Sequence, residues 1–176
     1  QQRNQKYQES MSLGFSALKM RTFSKAKRLF EAAQNYNDSP AVQQALQQAE
    51  NGLLNAELVG LINQGHGASE NENWEQAEFF YKQAAKRDSG LVEIAILSTN
   101  AKKRWALDKE LERVLSSPLG ISLSNGYTAA TKILERSEDI LVKGRRLSDQ
   151  IVRLKSEIEL AQIPVEVIIE SDNIAS

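Results

Sequence analysis

Residues 14–33, GFSALKMRTFSKAKRLFEAA, and residues 65–84, GHGASENENWEQAEFFYKQA, carry the same pattern of small and aromatic side chains. A shift of 51 residues aligns a glycine, an aromatic residue, an alanine, a second aromatic residue and a second alanine: Gly14 with Gly65, Phe23 with Trp74, Ala26 with Ala77, Phe30 with Tyr81, and Ala33 with Ala84. Internal repetition of this kind decides the architecture of a chain. The sequence therefore predicts a repeat protein whose remaining segments pack around these two copies.

The composition favours helix and points away from several partner classes. The chain has 176 residues, 41% of them hydrophobic and 26% charged, with three prolines, no cysteine and a net charge of -1. A nearly neutral chain has no general attraction to nucleic acid or to an anionic membrane. The lack of cysteine excludes disulfides and thiolate metal sites. Because the chain begins at Gln1, within helix-forming sequence, we expect it to be a piece of a longer protein.

Apolar spacing predicts an all-α fold of about seven helices, two of them long. Ser39-Pro40 and Ser117-Pro118 are typical helix starts, and the turn Gly65-His66-Gly67 is typical of a helix end. The predicted helices cover about 5–19, 23–34, 40–64, 73–86, 91–115 and 121–142, followed by a last helix that ends before Pro164.

The spacing of the two copies resembles the tetratricopeptide repeat. Leu13-Gly14 matches the Leu-Gly pair in the first helix of that family, and Pro40 lies two places from the expected late proline. A fainter third copy follows at a shift of 53, with Tyr127, Ala130, Leu134 and Ser137 in place of Trp74, Ala77, Tyr81 and Ala84. The resemblance implies a tetratricopeptide-like α-solenoid, although the 51-residue shift exceeds the usual repeat length of about 34.

The C-terminal part of the chain carries two further patterns. Leu147, Ile151, Leu154, Ile158 and Ala161 form a heptad-like seam, which either caps the repeat array or pairs with a second copy in a coiled coil. Alternation from Val165 to Glu170 predicts a short β-strand, which needs a partner edge. We therefore predict a helical repeat domain over 1–162, and at 163–176 the start of a truncated β domain or an extended tail.

The order of helices and the run from Pro164 to Asn173 resemble uncharacterised bacterial tetratricopeptide proteins with a membrane anchor and a small C-terminal β domain. This resemblance implies a single-pass membrane protein whose helical part is periplasmic. The membrane would be reached only through an anchor outside the given sequence. The residues by themselves do not identify the compartment.

The sequence offers no constellation typical of an enzyme. His66 is the single histidine, so a multi-histidine metal site is excluded, and we interpret this residue as part of a helix end. The basic clusters Lys102-Lys103-Arg104 and Lys143 with Arg145-Arg146 are short and are balanced by nearby glutamates, which favours a solvated face over phosphate binding. We therefore expect no catalysis, no cofactor, no small-molecule substrate and no nucleic acid partner.

The resemblance implies that a partner protein or peptide lies in an inner groove formed by the first helix of each pair. The corresponding positions are Gln8, Met11, Phe15 and Leu18 in the first copy and Val59, Ile62, His66 and Ser69 in the second. Met11 and Phe15 are equally compatible with burial against residues that precede Gln1. The aromatic residues of the repeat itself are assigned to the core.

These observations lead to one functional hypothesis and one alternative. The first is a non-enzymatic protein–protein interaction scaffold built on tetratricopeptide-like repeats, within a larger membrane-anchored bacterial protein. The alternative is a homo-oligomerisation module that acts through the C-terminal heptad helix and strand.

Overall fold

The computed structural model of the chain describes residues 1–163, and all of its regular structure is helical. The all-α prediction with about seven helices is confirmed for this part of the chain. Two helices are long, with 31 residues in α3 and 24 in α5. The elements in order are α1 (Gln2–Lys19), α2 (Phe23–Gln34), α3 (Pro40–Glu70), α4 (Trp74–Arg87), α5 (Val92–Leu115), a 3-10 helix (Pro118–Ser122), α6 (Ser124–Glu138) and α7 (Arg145–Ala161).

The described residues divide into two compact units. The first unit comprises Gln1–Gly67 and Phe79–Ser98, and the second comprises Ala68–Glu78 and the chain from Thr99. This division lies inside the stretch that the sequence predicts as one helical domain, 1–162. The predicted strand, Val165–Glu170, and nearly all of the predicted segment 163–176 lie outside the described residues.

The two copies of the repeat share the same turn between their helices. Thr22 N–H donates to Ala17 O at 3.0 Å, and 51 residues later Asn73 N–H donates to Ala68 O at 2.8 Å. A shorter bond inside each turn also repeats, from Arg21 N–H to Leu18 O and from Glu72 N–H to Ser69 O. Together these bonds form a Schellman motif, in which the residue after the helix takes a left-handed backbone conformation. Arg21 and Glu72 occupy that position with φ of 55° and 56°.

A glycine in each first helix allows an aromatic ring of the second helix to lie against the backbone. A Cβ atom at Gly14 would lie within 3 Å of three atoms of the Phe30 ring. At Gly65 a Cβ atom would meet the Tyr81 ring in the same way, with Cδ1 at 2.7 Å. Phe30 is fully buried and Tyr81 is 2% exposed. The repeat pattern in the sequence therefore corresponds to a repeated ring-on-glycine contact, and the assignment of both rings to the core is confirmed.

The core of the first unit is built from small residues of α1–α3 around one ring. Its fully buried members are alanines and Phe30, together with Val42. Burial of a ring such as that of Phe30 contributes about 1.5–3 kcal/mol relative to exposure. Small neighbours leave the space that this ring occupies.

The core of the second unit contains the heptad-like seam of α7. Leu147 and Leu154 are fully buried there, and Ile151 and Ile158 are at most 9% exposed. The third copy contributes to the same core through Ala130, with Tyr127 packed against it. The seam therefore packs within its own unit, as the capping interpretation expects.

Two predicted helix bounds are wrong. Helix α3 ends at Glu70 and not near Gln64, because Gly65 serves the contact with Tyr81 and does not terminate the helix. The predicted helix over 121–142 is shorter and begins later. A 3-10 helix ends at Ser122, α6 occupies Ser124–Glu138, and the backbone of Gly126 lies directly against that of Gly120.

Candidate functional site

The predicted groove residues of α1 differ in how much surface they present. Met11 is 9% exposed and belongs to the core of the first unit, and Leu18 packs partly buried against that core. Phe15 is 48% exposed, and its ring meets Phe30 edge to face with a centroid distance of 5.2 Å. Gln8 is exposed. Of these four residues, Phe15 therefore offers the largest apolar surface to a partner.

The predicted groove residues of α3 are mostly accessible. Val59 is 56% exposed, His66 is exposed, and Ile62 is partly buried. His66 Nδ1 and the Tyr81 hydroxyl are hydrogen-bonded at 3.0 Å, so His66 helps to orient the ring that covers Gly65. Ser69 belongs to the second unit, where its carbonyl accepts the turn hydrogen bond from Glu72.

An open groove lies in the first unit beside the turn between α1 and α2, and the sequence analysis does not identify it. It encloses about 530 Å³. We call it the turn groove, and its lining residues are Arg21, Phe23, Gly52, Asn55, Ala56 and Val59. A Cβ atom at Gly52 would overlap the Phe23 ring, so this glycine permits the ring to lie against α3. The signal in the sequence is Gly52, a helix-disfavouring residue in the middle of a long helix-forming segment.

The second unit contains an ion pair between α5 and α7 whose carboxylate is buried. The side chain of Asp108 is only 3% exposed, and that of Arg146 is half exposed. Arg146 Nε donates to Asp108 Oδ1 at 3.0 Å, and Arg146 Nη2 donates to the other carboxylate oxygen. This two-bond geometry orients both side chains. Asp108 interrupts the apolar row of α5 because its partner comes from α7.

Glu72 caps the first turn of α7 from the turn between α3 and α4. Its two carboxylate oxygens accept from the backbone N–H groups of Arg145 and of Arg146, the latter at 2.7 Å. A carboxylate at a helix N-terminus is favoured because the first N–H groups have no partner within the helix. Gly144 precedes this turn with φ of 79°, a conformation that favours glycine. The sequence analysis does not identify Glu72 as the cap of α7, which lies more than 70 positions further along the chain.

The basic clusters of the sequence have partners within the second unit. The Arg104 guanidinium lies over the Trp74 ring at 5.0 Å from its centroid, and Arg104 Nε donates to Val142 O at 2.6 Å. Trp74 is 4% exposed. Cation–π contacts of this type contribute on the order of 0.5–2 kcal/mol. Arg104 and Arg146 therefore stabilise the fold, and a purely solvated face is too simple a description of these clusters.

A second cleft, of about 670 Å³, runs beside the first half of α7. Glu112 and Arg153 line it, and Leu115 adds an apolar wall. A hydrogen bond from Lys109 holds the pKa of Glu112 below its ordinary value, and the same bond raises the pKa of Lys109. The cleft carries both signs of charge, so it has no strong preference for an anion or a cation.

Two searches of the described residues bear on the wider function. Across positions 1–163, no cluster of three or more histidine, aspartate or glutamate side chains is arranged to hold a metal ion. None of the helices in the same range combines the length and the apolar character that a membrane crossing requires.

Phe15, Val59 and the turn groove are thus accessible apolar surface in the first unit, which also exposes other apolar side chains such as Met20 and Val92. Comparisons of the whole chain with protein-family models, with curated proteins and with solved structures find no match.

Proposed function

We propose that this chain is a non-enzymatic protein–protein interaction scaffold, built as a tetratricopeptide-like α-solenoid within a larger membrane-anchored bacterial protein. The observation that carries the proposal is the duplicated helix–turn–helix backbone. Both copies have the same pair of turn hydrogen bonds and the same ring-on-glycine contact. Stacked units of this kind present extended surfaces that bind proteins or peptides.

Two exposed side chains on first helices support the location of the binding surface. Phe15 on α1 and Val59 on α3 are each about half exposed, although they are apolar. Large exposed apolar side chains are informative where several occur on one surface. The proposal of a membrane anchor and of the solenoid arrangement rests on the family resemblance.

The test uses a displayed library of protein fragments encoded by the source genome, selected against the immobilised chain. Fragments that bind are purified, and their affinity is measured by calorimetry. Phe15→Ser is expected to weaken binding at least tenfold, because the ring is a large apolar anchor.

Phe79→Ser is the matched control. Phe79 is 52% exposed, lies in the same unit on α4, and meets Phe80 edge to face at 5.5 Å, much as Phe15 meets Phe30. Fragments whose binding is equally insensitive to both substitutions contradict the proposed surface. A selection that yields no binding fragment contradicts the scaffold proposal as a whole.

The homo-oligomerisation alternative has less support. Four residues of the α7 seam are buried in the core of the second unit, so they offer a second copy little surface. A monomer in light scattering at millimolar concentration would remove this alternative.

A further inference from the structure

The turn between α1 and α2 is the most basic stretch of the described chain. Residues 10–30 contain no aspartate or glutamate and five basic residues, which are Lys19, Arg21, Lys25, Lys27 and Arg28. Lys27 pairs with Glu50 at 2.9 Å, and Arg28 Nε donates to the Ser24 carbonyl. Within residues 1–163, neither Lys19, Arg21 nor Lys25 forms an ion pair. Their charge is therefore available to a partner.

The acidic residues of α3 in the first unit do not neutralise this turn. Glu50 forms an ion pair with Lys27, and Glu57 forms one with Arg87. The turn groove therefore has a cation, Arg21, on its rim and no free carboxylate among its lining residues.

The floor of the turn groove is apolar. It combines Ala56 and Val59 with the Phe23 ring, which lies directly against the backbone of Gly52. Its volume of about 530 Å³ is larger than one amino-acid side chain requires and falls within the range of small ligand pockets, about 300–1,000 Å³. A partner with a projecting leucine or aromatic side chain is therefore more complementary to this groove than a partner with a flat surface.

The second copy of the repeat shows what a side chain at this turn position can do. Glu72 has the same φ as Arg21, and its carboxylate holds the N-terminal N–H groups of a helix that docks beside the turn. Arg21 carries the opposite charge at the equivalent position and faces an open groove. Its guanidinium donates only, so the complementary group on a docked segment is an acceptor, such as a carboxylate.

We infer that the turn groove binds a peptide segment of a partner protein that combines one large apolar side chain with a neighbouring aspartate or glutamate. The apolar side chain occupies the part of the groove over Phe23 and Ala56, neighbouring residues of the segment lie in the rest, and the carboxylate pairs with Arg21. Lys19 and Lys25 add attraction at longer range, which speeds association. This inference rests on the proposed scaffold function and names the chemistry of one partner.

The test uses a phage-displayed library of random 12-residue peptides selected against the whole chain at low salt. Enriched peptides are synthesised with a fluorescent label, and their affinity is measured by anisotropy. We expect enriched peptides to be acidic and to contain a leucine, phenylalanine, tryptophan or methionine close to the acid. We expect affinity to fall as sodium chloride rises.

Two substitutions in the groove and one control locate the site. Arg21→Glu should weaken binding about tenfold, because it reverses the charge at the groove. The backbone of the turn should be retained, since Glu72 adopts nearly the same φ at the equivalent position of the second turn. Ala56→Gln fills the floor and should weaken binding to a similar degree. Lys6→Glu makes the same charge change on exposed α1 surface away from the groove and should leave affinity within about twofold. Replacement of the peptide acids by lysine should restore binding to the Arg21→Glu variant.

Several outcomes overturn this inference, and they are distinguishable from failure of the scaffold proposal. Enriched peptides without acids, or peptides insensitive to Arg21→Glu, contradict the inference and leave the proposed function intact if Phe15→Ser still weakens fragment binding. Binding of the chain to vesicles with 30% anionic lipid that Arg21→Glu abolishes, with no peptide enriched, assigns the turn to a membrane instead. A dimer in sedimentation that Arg21→Glu dissociates assigns the groove to a second copy.

Discussion

The contact between Gly65 and Tyr81 gives the sharpest test of the repeat architecture. Replacement of Gly65 by alanine adds one methyl group where ring atoms of Tyr81 already lie within about 3 Å. The ring cannot move freely, because Tyr81 is 2% exposed and its hydroxyl is hydrogen-bonded to His66. We therefore expect Gly65→Ala to overpack the first unit.

The magnitude follows from two opposing effects. Alanine is favoured over glycine inside a helix by about 1 kcal/mol. Overpacking of a filled core costs about 1–3 kcal/mol. Gly60 lies five residues earlier in the same helix, and a Cβ atom there would meet nothing within 4 Å. Gly60→Ala should therefore raise the free energy of unfolding by about 0.5–1 kcal/mol. The free energy of unfolding of Gly65→Ala should be about 1–3 kcal/mol lower than that of Gly60→Ala.

The assay is urea unfolding followed by circular dichroism at 222 nm, for the wild type, both variants and Gly14→Ala. Gly14→Ala should behave like Gly65→Ala, because Phe30 lies over Gly14 as Tyr81 lies over Gly65. Tyr81→Leu combined with Gly65→Ala should show a favourable coupling energy, since the smaller side chain relieves the overlap. Equal stability of Gly65→Ala and Gly60→Ala would refute the reasoning.

Three further predictions concern the turns and the ion pair. Arg21→Gly should stabilise the chain by about 0.5–1 kcal/mol in thermal unfolding, because glycine adopts positive φ without strain, whereas Ser16→Gly in the α1 interior should destabilise it by a similar amount. Glu72→Gln should cost about 0.5–2 kcal/mol through the weakened cap of α7, and Arg21→Gln, at the equivalent turn position, should be neutral within error. Arg146→Met should cost about 1–3 kcal/mol, because it leaves the buried carboxylate of Asp108 without the two donors of Arg146. Tryptophan fluorescence reports this loss, since both tryptophans lie in the second unit, and Asp108→Leu in the same chain should recover most of it.

The sequence predicts the helices of this fold well where local signals agree. Helix α2 begins and ends where apolar spacing places it, and Pro40 begins α3 as its proline signal predicts. The repeat also predicts the burial of Phe30, Trp74 and Tyr81, whereas the core assignment is too simple for Phe23 and Tyr127, which are only partly buried. These properties depend on residues within about twenty positions of one another.

Long-range partners are what the sequence does not predict. Asp108 interrupts an apolar row in the sequence. No local signal indicates that its partner is Arg146, 38 positions further along the chain. In the sequence, Glu72 is simply an acidic residue shortly before α4. In the structure, its carboxylate accepts hydrogen bonds from the first backbone N–H groups of α7. Gly65 has the spacing of a helix terminator, and only the position of Tyr81 shows why the helix continues through it. The groove positions on α1 and α3 and the segment 163–176 stay predictions.

Helix α3 has a consequence for the order in which the chain folds. It is the longest helix, yet it contains four glycines, at positions 52, 60, 65 and 67. Each glycine lowers intrinsic helix stability by about 1 kcal/mol relative to alanine. Two of them are stabilised only when the rings of Phe23 and Tyr81 lie against them. We therefore expect α3 to become a continuous helix only once the rings of α2 and α4 lie against it, so that the longest described helix is consolidated late in folding.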